Sequence, residues 1–444
     1  MTFHEQRTQW ARLFRRPSFR FLFAGMFISL FGTGLNYAGV TWWVLEQTHS
    51  TVEVSFIVIL VTLPGLFVPL FGGVLIDRVD RRYLGIALDL IRGVVVLGVA
   101  LLAWFGAVEL WHVRALMFVL GIGFAIYWST TNSLVQEVVE PEQLMGANAA
   151  VLIAVQGGMM AAGALVGFVY TWLGLGGILA VDGLTYLAAA LCLLGLRRGH
   201  HPPTRREAEI SPTIEAPLPT ELTEEAVVPP IVEPGLILGF LSDLREGWRY
   251  LRSEPRVLAI GLTYACMMAG VLSANVLLVA LAHDLLQAGP HGYGYLEAGW
   301  AFGAISGGLL SGVLVRRFSP MAVLSTALAT LAIGHALFPY VSVLAAAVML
   351  NAVFGGCRAL GGVLTQSSIM AIVPRRLMGR TQSAFSVIST LLQMAMSFSL
   401  GWLAKYVGLP IAFGALGALY GVAFLASLRA RALMRMPVAG LRLG

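Results

Sequence analysis

Apolar stretches of about 20 residues, the length of helix that crosses a bilayer core of roughly 30 Å, recur from Phe21 almost to the C-terminus of this 444-residue chain. Nothing else in the sequence constrains the fold as strongly. A helix satisfies its own backbone polar groups in lipid, so the repetition of such stretches implies an all-α polytopic membrane protein. Composition agrees: 58% of residues are hydrophobic and only 12% are charged, against roughly 25% charged in an ordinary soluble domain. A soluble globular enzyme is thereby excluded. The net charge of +6 sits between apolar spans, where it orients a chain in the membrane rather than binding nucleic acid. Cys192, Cys266 and Cys357 each lie inside an apolar run. That excludes a disulfide framework and a clustered zinc site, and neither a metal nor a cofactor is expected.

Charges, prolines and glycines punctuate the runs into twelve spans, at 20–46, 54–76, 83–106, 112–136, 145–171, 174–196, 256–283, 293–315, 320–341, 343–372, 378–404 and 409–428. With a cytoplasmic N-terminus, all of the 29 Lys and Arg residues except Arg92, Arg114, Arg358 and Lys405 fall on the inside. The positive-inside rule therefore predicts cytoplasmic termini in a cytoplasmic (inner) membrane. Between Gly199 and Pro234 the hydropathy collapses into a Pro- and Glu-rich stretch that cannot bury enough apolar surface to fold alone. After it, Leu241, Leu244, Trp248 and Leu251 recur at helical spacing opposite Arg245, Arg249 and Arg252, the pattern of an amphipathic helix lying on a membrane face. The expected organisation is a six-helix bundle over 1–198, a cytoplasmic linker over 199–254 with its amphipathic helix near 236–252, and a second six-helix bundle with a short basic tail over 255–444.

The chain also repeats internally. Pro141-Glu-Gln-Leu-Met-Gly146 after span four recurs as Pro374-Arg-Arg-Leu-Met-Gly379 after span ten, and Gly73-Val-Leu-Ile-Asp-Arg78 pairs with Gly312-Val-Leu-Val-Arg-Arg317. Two parallel six-span halves joined by a linker are the layout of a large class of transporters that bind substrate near the midplane, between the halves.

The segment Gly73-Val-Leu-Ile-Asp77-Arg78-Val-Asp80-Arg81-Arg82 resembles the signature loop between helices two and three of the major facilitator superfamily. Phe19-Arg-Phe-Leu-Phe-Ala-Gly25, Asp89-Leu-Ile-Arg92, Glu142-Gln-Leu-Met-Gly-Ala-Asn148 and Arg245-Glu-Gly-Trp-Arg-Tyr-Leu251 look like the exporter branch that holds macrolide efflux proteins and enterobactin exporters. The resemblance implies the two-bundle facilitator fold and a latch built from Gly73, Asp77, Arg78, Arg81 and Arg82, in which Asp77 holds span two against span eleven. Physically, an acid where span two leaves the membrane can face a helix N-terminus, while the arginines sit at anionic headgroups. In the second half Asp77 is replaced by Arg316, so the two halves are not expected to gate alike.

Ionisable groups at membrane depth are costly and mark functional sites. Arg358, midway along span ten among Gly355, Gly356, Gly361 and Gly362, is the most suggestive. It serves either substrate and coupling or packing, in the latter case donating to Asn351 or Gln366 on its own helix. Asp89 and Arg92, three residues apart, are expected to form a structural ion pair. Glu46 and Glu297 mark helix ends on the outer side, where either could accept a proton, and His335 reads as a packing histidine. The resemblance places spans one, four, seven and ten around the cavity. The substrate or coupling candidates are then Asn36, Tyr37, Tyr127, Trp128, Asn132, Asn275, Asn351, Arg358 and Gln366, and aromatics, amides and methionines suit an amphipathic organic molecule. Two departures from the pattern of the superfamily's proton-coupled drug antiporters weaken the implication of proton antiport: Met117-Phe-Val-Leu-Gly121 lacks their deep arginine in span four, and span five has glycines but not their proline.

The sequence thus predicts a secondary transporter that exports a drug-, macrolide- or siderophore-like molecule by alternating access, with a coupling proton and membrane lipids as further partners, working as a monomer. An importer or lipid-moving relative, and a transport-dead receptor or scaffold, are the alternatives. No cluster of catalytic spacing is present, so no enzyme is expected.

Overall fold

The computed structural model describes residues 13–68, 79–140, 143–196, 236–374 and 377–435. Of the expected latch, Gly73, Asp77 and Arg78 lie outside these residues, as does the linker from 199 to 234. The described residues form helices: α1 (Pro17–Thr48), α2 (Thr51–Thr62), α3 (Arg81–Trp104), α4 (Leu110–Val138), α5 (Leu144–Leu194), α6 (Leu236–Ser253), α7 (Pro255–Ala280), α8 (Gly289–Arg317), α9 (Pro320–Leu337), α10 (Leu344–Ile372), α11 (Met378–Tyr406) and α12 (Leu409–Arg435). All but α6 belong to segments long and apolar enough to cross a membrane. α5 holds two such passes, because Gly174 breaks it with a φ of 63° and ψ of −163°, a conformation open almost only to glycine. We call its limbs α5a (144–173) and α5b (175–194). Among the described residues twelve passes result.

Local chemistry sets the ends. Pro17, Pro255 and Pro320 open their helices at the first turn, where a missing N–H costs nothing. Asp80 caps α3 by accepting from the backbone N–H of Arg82 at 2.9 Å. The outward faces carry exposed Ile91, Val94, Leu191, Leu309, Ile333 and Leu425, a girdle of apolar side chains that suits lipid and not water. α6 covers the stretch read as amphipathic. Its Leu251 is buried beside α11 residues Ala384 and Phe385, Glu246 pairs with Arg380, and Trp248 stays exposed under the Arg252 guanidinium.

Because the number of passes is even, both ends of the described chain lie at one end of the bundle, here called proximal; the end carrying the short turns at 49–50, 105–109 and 407–408 is distal. The halves meet distally. Thr51 donates to Gly401 O at 2.6 Å and Ser55 to Ser397 O at 2.7 Å, while Trp42 stacks on Tyr293 and touches His283. Gly167 of α5a lies so close to α8 that a Cβ there would sit 2.5 Å from His291 Cα. One apolar core runs through this seam and includes both halves. Among the described residues the cores are separate at the proximal end: one gathers first-half residues such as Phe19, Val139 and Ala150, the other Leu251 of α6 with second-half residues such as Ile369 and Phe385.

Candidate functional site

Three clusters of polar side chains sit at membrane depth, and the first is enclosed in the first half. Arg92 of α3 pairs with Asp89 one turn back, with side chains only 3% and 1% exposed. Its guanidinium lies between the rings of Tyr127 (4.6 Å) and Tyr186 (4.3 Å), a cation between two π faces. Gly123 on α4 makes room, since a Cβ there would stand 2.7 Å from Arg92 Cδ. Beside this pair, Asp182 of α5b accepts from Asn36 Nδ2 at 2.6 Å, while its other oxygen has no partner. Arg92 therefore faces two carboxyl groups, Asp89 and Asp182. Asp182 was missed by the sequence reading, although it carries the same signal that singled out Arg358, a charge inside an apolar run.

The second cluster lies in the seam. Glu297 stands a little over two turns into α8, deeper than a helix-end residue, against Gly163 of α5a. Tyr37 of α1 is beside Glu297 and Asn275, yet the Tyr37 hydroxyl and Glu297 Oε1 are both buried without a hydrogen-bond partner. Tyr293, which approaches Thr41 at 3.4 Å, closes the cluster from above. Glu46 is separate: it accepts from the Tyr170 hydroxyl at 2.5 Å.

The third is a cavity within the second half, where Asn275, Trp300, His335, Asn351, Arg358 and Tyr420 supply the polar lining. Arg358 does not use the partners on its own helix that the sequence suggested. Asn351 turns to donate to Leu296 O at 2.8 Å, and Arg358 Nη2 instead meets Met268 Sδ at 3.3 Å, leaving Nε buried and unpaired. The guanidinium folds back over Gly362, where a Cβ would come within 2.9 Å of Nη1. His335 is a packing residue: Nδ1 meets Leu331 O at 2.8 Å, and its ring stacks between Phe354 and Tyr420.

Of the candidates read from the sequence, Tyr37, Asn275, Asn351 and Arg358 are thus gathered at the seam and the adjoining cavity. Asn36 and Tyr127 point into the first-half network. Trp128 and Asn132 are exposed on α4 and Gln366 is half-buried two turns beyond Arg358; none of the three lines the cavity. The described latch residues act within their own half, Arg81 pairing with Glu137 and Arg82 donating to Leu193 O at 2.9 Å. Among the described residues no group of three His, Cys, Asp or Glu side chains could hold a metal ion.

The sequence profile of the Major Facilitator Superfamily matches residues 22–391. The chain is 29% identical over 373 residues to the enterobactin exporter EntS of Escherichia coli O6:K15:H31, covering 82% of this chain and 80% of that protein. It is 22% identical over 293 residues to macrolide efflux protein A of Streptococcus pyogenes, covering 66% and 65%. Among solved structures, the POT family transporter PepTSo superposes with a TM-score of 0.68 at 13% identity, over 95% of this chain and 99% of that one. A bacterial homologue of the iron transporter ferroportin, in an inward-facing state, gives 0.63 at 17% identity over 96% and 99%.

Proposed function

Because the chain belongs to the Major Facilitator Superfamily, we propose that it is a secondary active transporter that exports a hydrophobic or amphipathic small molecule by alternating access, with a proton moving inward in exchange. One observation carries the mechanism: the halves share a core at the distal end and keep separate cores at the proximal end. Two rigid bundles joined along one end can rock about the seam, which is the motion alternating access needs. The basic residues at the proximal end make that end cytoplasmic, so this conformation takes cargo from inside. Similarity to the enterobactin and macrolide exporters supports the outward direction.

Within this mechanism Tyr37, Asn275, Asn351 and Arg358 hold the cargo and Glu297 carries the proton. Glu297 is half-buried in the distal seam here, its Oε1 enclosed, and parting of the seam would open it to the outer solution. A carboxyl group whose surroundings change between the two states is placed to couple a proton to the conformational change. The loop from Gly73 to Arg82 serves as the latch of the other state, when the proximal ends meet.

The test is transport by purified protein in proteoliposomes with an imposed pH gradient, screened against macrolides, dyes and siderophores. The reading expects at least one of these to accumulate against its own gradient while protons flow the other way. Failure of the pH gradient to drive any of them would count against it.

A further inference from the structure

We infer that the cavity around Arg358 is an anion-binding site, and that the cargo carries a carboxylate or comparably acidic oxygen group which Arg358 neutralises. The inference deepens the transporter reading by naming the substrate class; it is tested by binding alone, so the two can fail separately.

The two halves supply the comparison. Each sets one guanidinium beside tyrosine rings: Arg92, buried, between Tyr127 and Tyr186, and Arg358, half-buried, near Tyr264 and Tyr420. The spacing of 239 residues that relates Gly73 to Gly312 also relates Asn36 to Asn275, so each cluster has an asparagine at the same place in its half. They differ in their acids. Arg92 is paired with Asp89 and has Asp182 within reach, whereas among the described residues Arg358 touches no carboxylate and its side chain donates to a thioether. A guanidinium has five N–H donors, and sulfur is a weak acceptor. An unpaired cation at mid-membrane is costly, and its presence there calls for an anion that the described residues do not supply.

The surroundings fit such a guest. Arg358 Nε is buried with its hydrogen-bonding capacity unused, and Asn275, Asn351 and the Trp300 indole line the same cavity, offering further donors for an oxyanion. Phe354 and Phe413 line its apolar wall, which suits the hydrophobic body of an amphipathic acid. Gly362 leaves the space along α10 into which the guanidinium folds. Planar bidentate recognition of a carboxylate is what an arginine does better than a lysine.

The experiment uses the full chain in nanodiscs of zwitterionic phosphatidylcholine and two probes of nearly equal shape, 2-naphthoate and its neutral analogue 2-naphthamide. Binding is followed by calorimetry and by tryptophan fluorescence. Wild type should bind the carboxylate at least about tenfold more tightly than the amide, a difference of about 1.4 kcal/mol. Arg358→Gln should bring the two affinities together, and Arg358→Lys should keep a reduced preference for the acid. If Arg358→Gln does not fold, the wild-type preference and its reduction in Arg358→Lys still decide the matter. Equal binding of the two probes by wild type, or an undiminished preference in a folded Arg358 variant, would overturn the inference. Adding anionic phosphatidylglycerol should leave naphthoate affinity unchanged; competitive loss of binding would make the site a lipid headgroup site and refute the small-molecule class.

Discussion

Gly167→Ala is the substitution that should most selectively unseat the distal seam. A Cβ at Gly167 would lie 2.5 Å from His291 Cα and 2.6 Å from Pro290 O. Both are backbone atoms of the opposite half, so no side-chain rotation relieves the overlap. Adding one carbon to a close-packed contact costs about 1–3 kcal/mol, and here parting of the halves removes the cost. The seam-closed state should therefore lose population by roughly 5–150-fold relative to the open one. In a protein whose Cys192, Cys266 and Cys357 have been replaced, Ser55→Cys reports on the seam, because Ser55 is fully buried there. Its labelling by a water-soluble maleimide should rise about tenfold or more in Gly167→Ala, with little change in thermal stability. Gly303→Ala is the control. Its Cβ would lie 1.7 Å from Ala352 O in the same half, so it should lower stability without raising labelling. Unchanged labelling in Gly167→Ala, or a stability loss matching that of Gly303→Ala, would refute the reasoning.

Glu297→Gln should abolish transport driven by a pH gradient yet preserve exchange of labelled for unlabelled cargo across the same vesicles; retained pH-driven accumulation would remove Glu297 from the coupling role. Arg92→Ala leaves Asp89 buried without its cation and should cost about 3–5 kcal/mol, seen as a lower melting temperature in detergent, whereas Asp182→Asn keeps a side chain of the same size and should cost far less. Single cysteines at Asp80 and Glu109 test the orientation in intact cells: an impermeant reagent should label the second and spare the first, and the reverse pattern would invert the proposed topology.

The spans and their parallel repeat were legible because lipid imposes a length and a hydropathy that each segment must meet by itself. The break at Gly174 was legible for the same reason, falling between two runs of full length. Side-chain partnerships were not. Asn36 and Asp182 lie 146 residues apart, and Ser55 and Ser397 lie 342 apart, with nothing in either span to match them. The Asp89 and Arg92 contact was legible only because one helical turn brings the two together. Arg358 stood out as a charge in an apolar run, but its neighbourhood did not: Asn351 on its own helix donates to Leu296 O instead, and the atom Arg358 reaches is Met268 Sδ on α7. Glu297 looked like a helix end because a glycine-rich start hides how far α8 extends past it toward the distal turn.

The account rests on the halves rocking about the distal seam, and a reversible cross-link across that seam tests this most directly. Ser55 of α2 and Ser397 of α11 already touch, Ser55 Oγ to Ser397 O at 2.7 Å. Replaced by cysteines in the cysteine-free protein and joined by a short, cleavable thiol cross-linker, they should hold the distal end shut. Transport in proteoliposomes should then fall to background while naphthoate binding from the proximal side persists, and reduction of the linker should restore it. Undiminished transport by fully cross-linked protein would contradict alternating access in this chain.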